Sequence, residues 1–87
     1  MAQVVYAAQA LDDVERAHQS ANAGAIQSAV DNLAAHPLVG RRVEEDLREL
    51  VISFGDTGYI ALYRFVVQQD TVRVLALRHQ REIGYLP

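Results

Sequence analysis

Hydrophobic positions along this chain change from helical to strand spacing near its middle. After a short β-favouring run from Gln3 to Tyr6, apolar residues recur at helical spacing, at Leu11, Val14, Ala17 and Ala21. Helical spacing resumes after Asn22-Ala23-Gly24 and lasts until Pro37, with Ile26, Ala29, Val30, Leu33 and Ala34 as the second stripe. The pattern predicts one strand followed by a hairpin of two amphipathic helices. The charged and polar side chains between the stripes are expected on the surface: Asp12, Asp13, Glu15, Arg16, Gln27, Ser28, Asp31 and Asn32.

The second half of the chain is rich in β-favouring residues. Three such segments, 47–54, 58–67 and 71–79, are separated by the turn-prone triplets 55–57 and 68–70, which predicts an antiparallel meander. The segment 36–42 has Pro and Gly as punctuation and is expected to form an ordered crossing loop. We therefore predict a single α+β domain over residues 1–87, in the order β-α-α-β-β-β. Its helical hairpin packs on a mostly antiparallel four-stranded sheet.

Strand alternation predicts which side chains of the last strand share a face. Leu75, Leu77 and His79 are expected on one face, and Val74, Ala76 and Arg78 on the other. His79 is thus expected where an apolar face meets solvent.

Composition and charge exclude several classes of function. The net charge is −3, and all eight basic residues are arginine. Strong direct nucleic-acid binding is disfavoured, because its affinity comes from neutralising many phosphates with surplus cations. No apolar run approaches the roughly 20 residues that a membrane span needs, and neither a signal pattern nor a cysteine is present. We expect a cytoplasmic protein with no membrane association.

The arginines are unevenly distributed, which directs the search for function to the C-terminal part. Residues 57–87 contain four arginines and two acids, whereas residues 1–46 contain three arginines and seven acids. His79 and Tyr85 lie in the same C-terminal part. The three histidines have no metal-ligand spacing, so we expect neither a metal site nor a cofactor.

Several segments in this order resemble the RelE/ParE superfamily of toxins from type II toxin–antitoxin modules. They are His36-Pro37-Leu38-Val39-Gly40-Arg41, Leu47-Arg48-Glu49-Leu50, Tyr59-Ile60-Ala61-Leu62-Tyr63-Arg64 and Val74-Leu75-Ala76-Leu77-Arg78-His79-Gln80-Arg81-Glu82. The resemblance covers nearly the whole chain. It implies a small bacterial protein that arrests growth and is neutralised by a cognate antitoxin.

The superfamily contains two mechanisms, and fold alone does not choose between them. RelE-like members resemble ribonucleases that cut mRNA on the ribosome, whereas ParE-like members poison DNA gyrase. For a metal-independent nuclease, Glu49 or His79 would be the base, Arg64 and Arg81 the phosphate clamp, and Tyr85 a stacking or proton-donating group.

Each of these residues also has a structural interpretation. Arg64 could pair with an acid such as Glu49 on a neighbouring strand, His79 could be a capped strand-end histidine, and Tyr85 could anchor the tail or a partner. Arg64, Arg78, Arg81 and Tyr85 are the expected partner-binding residues.

Charge favours the gyrase mechanism, because a nuclease seated among ribosomal phosphates should be basic. We predict a ParE-like gyrase poison without catalytic residues of its own, and keep the ribosome-dependent endonuclease as the alternative. An inert member of the fold that only binds an antitoxin is a third hypothesis, since Ala7-Ala8-Gln9-Ala10 lacks the usual N-cap before the first helix.

Overall fold

The computed structural model describes residues 1–18, 23–54 and 57–79, which form two α-helices and five β-strands. The elements are β1 (Gln3–Tyr6), α1 (Ala8–His18), α2 (Ala23–Ala35), β2 (Arg41–Glu44), β3 (Leu47–Phe54), β4 (Thr57–Val66) and β5 (Thr71–His79), with a 3-10 turn at Val67–Gln69. The predicted α+β class and order of elements are confirmed. None of the helices in these ranges is long and apolar enough to cross a membrane.

The sheet has five strands in the order β1-β5-β4-β3-β2, one more than predicted. β1 runs parallel to β5, and the other neighbours are antiparallel. The additional strand is β2, which begins at Arg41 inside the segment predicted to be a loop. All four of its residues are exposed, and its backbone pairs with β3. An edge strand of this kind is stabilised by backbone pairing, so its sequence needs no apolar alternation.

Both helices pack on the same side of the sheet, which we call the helix face; the opposite side is the far face. The core on the helix face has two neighbouring clusters. The first contains Ala2, Ala10, Leu33, Tyr63, Val72 and Val74, and the second contains Ala17, Ile26, Ile52, Ala61 and Leu77. Each helix contributes to both clusters, so the hairpin is held along its length.

The buried stripe of α2 agrees with its sequence pattern, whereas that of α1 agrees at Val14 and Ala17 but not at Leu11. Ile26, Val30 and Leu33 are buried as predicted. In α1, Leu11 is 53 % exposed and Asp13 is only 3 % exposed, the reverse of the predicted arrangement. The helix turns this carboxylate inward because β5 and its own neighbours supply donors for it, as described below.

A β-bulge in β5 changes which side chains share a face. Leu62 of β4 pairs with Ala76, and Tyr63 pairs with Val74, so Leu75 is an extra residue in the register. Val74 therefore joins Leu77 on the helix face, and the prediction that it lies with Arg78 on the opposite face is wrong. His79 shares the helix face with Leu77, as predicted.

Candidate functional site

The predicted catalytic residues do not form one cluster within the described residues. Glu49 and Arg64 lie on the far face, and His79 lies on the helix face near the opposite end of β4. Arg81 and Tyr85, which were also expected in the site, lie outside the described residues. Each placement has a distinct physical cause.

Glu49 is a buried carboxylate in the middle of the far face. It lies on β3 opposite Leu62, is 4 % exposed, and accepts hydrogen bonds from Nε of Arg41 at 3.0 Å and from its Nη2. Arg64 was predicted to pair with an acid such as Glu49. Glu49 instead pairs with Arg41. Glu49 is held by the edge strand β2, which the sequence did not reveal.

Arg64 lies one row along the far face and forms an ion pair with Asp46 from the turn between β2 and β3. Its side chain is 39 % exposed. Directly opposite, on β5, stands Arg73, which is exposed. Arg64 and Arg73 are therefore cross-strand neighbours on the far face.

His79 lies at the end of β5, opposite Tyr59. The two rings are 5.3 Å apart between centroids and meet edge to face at 77°. Asp13 and Arg16 of α1 line the same cleft of about 210 Å³. Tyr59, the residue opposite His79, precedes Arg64 by five residues on β4. His79 and Arg64 are therefore separated by roughly 17 Å along the sheet.

The two candidate bases lie on opposite faces of the sheet. Glu49 is on the far face and His79 on the helix face, so both cannot act on one phosphate. A base, an acid and a phosphate clamp must surround one reacting group within hydrogen-bond reach. Because the two were alternative bases, their separation leaves at most one of them to act with Arg64, and Arg81 and Tyr85 lie outside the described residues.

Asp13 is the residue that sequence reasoning missed. One carboxylate oxygen accepts hydrogen bonds from Nη2 of Arg16 at 2.5 Å and from Gln9, and the other accepts them from the Leu77 amide at 3.0 Å and from Arg78. Burial raises the pKa of this carboxyl, but the hydrogen bonds from Leu77, Arg16 and Gln9 and the charge of Arg78 outweigh it, so the pKa is lowered. The sequence signal that could have identified Asp13 as buried is its spacing. It lies three residues after Ala10 and four before Ala17, on the buried stripe of α1.

The same carboxylate also contacts Arg78, a residue that was predicted to bind a partner. The Leu77 amide lies beyond the end of β1, at the edge of β5, and Asp13 satisfies it. Arg78 completes the cluster with its Nη1 at 2.5 Å from Oδ2 of Asp13. The side chain of Arg78 is 29 % exposed, and its contact with Asp13 joins β5 to α1.

The loop between α2 and β2 is positioned by three polar contacts, of which the one to Tyr63 is buried. The Gly40 amide donates to the Tyr63 hydroxyl at 2.9 Å, and the Arg48 guanidinium donates to the carbonyls of Leu38 and Gly40. In this loop Leu38 is 58 % exposed and Val39 is 50 % exposed. Together with Phe65 they line an apolar cleft of about 470 Å³. Across the described ranges, no three His, Cys, Asp or Glu side chains are grouped so that they could hold a metal ion.

Comparison with known families shows to which family the chain belongs. The sequence model of the ParE toxin of the type II toxin–antitoxin system parDE matches residues 4–84. The chain belongs to the ParE toxin family. A curated relative, Toxin RelE3 of Caulobacter vibrioides, is 42 % identical over 57 residues, which are 66 % of this chain and 60 % of that protein's length.

Solved structures place this ParE-family chain in the fold that RelE toxins also have. The Escherichia coli RelBE toxin–antitoxin complex contains a chain with a TM-score of 0.74 at 12 % identity, covering 90 % of this chain and 95 % of that one. The RelBE2 toxin–antitoxin complex of Mycobacterium tuberculosis gives 0.63 at 26 % identity, covering 90 % and 96 %. The predicted superfamily is confirmed.

Proposed function

We propose that this ParE-family chain is a toxin that arrests growth by poisoning DNA gyrase, without catalytic residues of its own, and that a cognate antitoxin neutralises it. The observation that carries the proposal is the placement of the two alternative bases. His79 lies on the opposite face of the sheet from Arg64, and Glu49, which shares the far face with Arg64, is buried and ion-paired with Arg41. The net charge of −3 also supports a protein target over ribosomal RNA.

The antitoxin part of the proposal is supported by the family and by the similar solved complexes. Both the Escherichia coli and the Mycobacterium tuberculosis relatives were crystallised as toxin–antitoxin complexes. An 87-residue chain also buries a limited core, so a permanent partner would add stability. Gyrase is a bacterial cytoplasmic enzyme, in keeping with the location expected from the sequence.

A ribosome-dependent mRNA endonuclease is the second candidate. The 42 % identity to Toxin RelE3 and the RelE-like fold favour it. In this alternative, the arginines of the far face would contact the message, and Arg81 and Tyr85 would complete the site.

A pair of assays on the purified protein separates the two candidates. We expect the wild type to inhibit supercoiling and to trap cleaved DNA on gyrase, and to leave mRNA on programmed ribosomes uncut. Glu49→Gln and His79→Ala should retain gyrase inhibition within about threefold if folded. In a nuclease, loss of a general base or acid would lower cleavage by roughly 10²–10⁴-fold. Site-specific mRNA cleavage with unchanged supercoiling would reject the gyrase proposal.

A further inference from the structure

A cleft on the far face has the chemistry of an anion site. It lies where β1, β5 and the end of β4 meet, and its volume is about 390 Å³. Its lining consists of Gln3, Val5, Val66, Gln69, Thr71 and Arg73. The cleft is distinct from the positions of Glu49 and His79.

The polar lining of this cleft is rich in donors and contains no acid. Arg73 supplies a guanidinium group, and Gln3 and Gln69 supply side-chain amides; all three residues are exposed. The Thr71 hydroxyl donates to the Gln69 carbonyl at 2.9 Å, which ties the 3-10 turn to the start of β5. Guanidinium and amide N–H groups together match the oxygens of a carboxylate.

Arg73 is also electrostatically uncompensated. It stands directly opposite Arg64 across β4 and β5, and like charges in directly opposed positions are destabilising. Arg64 has Asp46 as its ion-pair partner, whereas Arg73 forms no ion pair within the described part of the chain. An incoming anion would offset this repulsion.

We propose that this cleft, which we call the Arg73 cleft, binds a carboxylate side chain from an acidic segment of the antitoxin. The inference rests on the proposed function for the existence of that partner. The number of available cations favours a protein carboxylate over nucleic acid. Nucleic-acid affinity requires many phosphates to be neutralised, and this far-face cleft offers one uncompensated arginine on a protein of net charge −3.

The position of Arg73 also determines how the carboxylate of a bound acidic segment would be contacted. The carboxylate meets Arg73 with its two oxygens, and Gln3 and Gln69 line the same cleft. Arg73→Gln keeps a donor of similar polarity but removes the charge and the fork. We expect this substitution to weaken binding of an acidic segment about tenfold, with little effect on folding because the residue is exposed.

Chemical-shift titration of the full chain tests the cleft with a defined probe. A tetraglutamate peptide should cause saturable shifts at the amides of Gln3, Gln69, Thr71 and Arg73. Arg73→Gln should weaken this binding about tenfold, so that the shifts saturate at correspondingly higher peptide concentration. Arg42→Gln is the matched control, because Arg42 is an exposed arginine on the opposite edge strand, β2; it should leave the shifts unchanged.

A hexauridylate titration identifies the class of ligand. Tetraglutamate binding at least as tight as hexauridylate binding, and dependent on Arg73, supports the proposal. Tighter Arg73-dependent binding of hexauridylate overturns it in favour of nucleic acid. Absence of saturable shifts with either probe, or shifts that saturate at the same concentration in Arg73→Gln as in the wild type, overturns the site itself.

The affinity of the neighbouring-gene antitoxin distinguishes failure of this inference from failure of the proposed function. If that antitoxin does not bind the wild type, the proposed function fails. If it binds the wild type and Arg73→Gln equally, only the Arg73 cleft proposal fails. About tenfold weaker binding by Arg73→Gln, with Arg42→Gln unchanged, supports both.

Discussion

At the scale of single residues, the charged side chains of this protein act mainly in pairs that position its elements. Asp13 fastens α1 to β5, and Glu49 fastens β2 to β3 through Arg41. Both carboxylates are buried, and both accept hydrogen bonds from nearby donors. Buried charges are tolerated under such conditions, because each lost water contact is replaced.

Replacement of Asp13 tests the first of these contacts. Asp13→Ala leaves the Leu77 amide without its acceptor and should lower the free energy of unfolding by about 1–3 kcal/mol. Asp12→Ala, which alters an exposed neighbour, should change it by less than about 0.5 kcal/mol. Denaturant unfolding of both variants measures the difference. Equal stability of the two would show that the Asp13 cluster contributes nothing.

The pH dependence of this contact has a defined sign. Because the pKa of Asp13 is lowered in the folded state, its stabilising contribution is complete above the ordinary carboxyl value of 3.8 and is lost as pH falls through the lowered pKa. The stability difference between the wild type and Asp13→Asn should therefore narrow below about pH 4. Unfolding curves collected between pH 7 and pH 3 measure it, and a difference that grows on acidification would contradict the assignment.

Gly40 is a second single position with a strong structural requirement. A Cβ atom there would lie 2.6 Å from the Tyr63 hydroxyl and 2.8 Å from the Glu49 carbonyl. Gly40→Ala should therefore destabilise the protein by about 1–3 kcal/mol through overpacking. Gly24→Ala is the matched control, since it meets nothing within 4 Å and should be neutral or stabilising by up to about 1 kcal/mol. Thermal unfolding that ranks the two variants in the opposite order would refute this account.

At the scale of elements, the bulge at Leu75 allows β5 to serve two parts of the core. Val72 and Val74 face the first cluster before the bulge, and Leu77 faces the second after it. If the same residues formed a strand without a bulge, strict alternation from Val74 would place Leu77 on the far face. The bulge thus keeps both clusters on the helix face.

Deletion of Leu75 tests this role. Deletion of Leu75 removes only the unpaired residue: Tyr63 can still pair with Val74, Leu62 with Ala76 and Ala61 with Leu77, so Leu77 stays on the helix face. We therefore expect the deletion variant and Leu75→Ala both to keep cooperative unfolding. Circular dichroism during heating compares the two. Loss of cooperative unfolding in the deletion variant alone would show that the fold requires the bulge itself.

At the scale of the whole molecule, the proposed partnership with an antitoxin predicts a change in stability. A ligand that binds the folded state at 100 times its Kd adds about 2.7 kcal/mol to the free energy of unfolding. For a chain of this size, the melting temperature should rise by roughly 10–20 °C. Thermal unfolding with increasing antitoxin segment measures it, with a scrambled segment as control. An unchanged melting temperature at saturation would argue against the complex.

The local patterns of the sequence determined the class of fold, the order of its elements and the buried stripe of α2. Helical spacing of Ile26, Val30 and Leu33 and the three β-rich segments separated by turns are signals that the backbone itself imposes. The resemblance in residue order, from His36 to Glu82, was likewise sufficient to predict the superfamily. These features depend on neighbours within a few residues.

Tertiary structure alone decided how the charged residues are used. Strand β2 is fully exposed and is held by backbone pairing, so no apolar alternation marks it. The bulge at Leu75 moves Val74 to the helix face, and the burial of Asp13 depends on an amide 64 residues away. Glu49 and His79 were grouped from the sequence and are separated by the sheet, because the face of a strand residue is set by its register with distant partners and not by its neighbours along the chain.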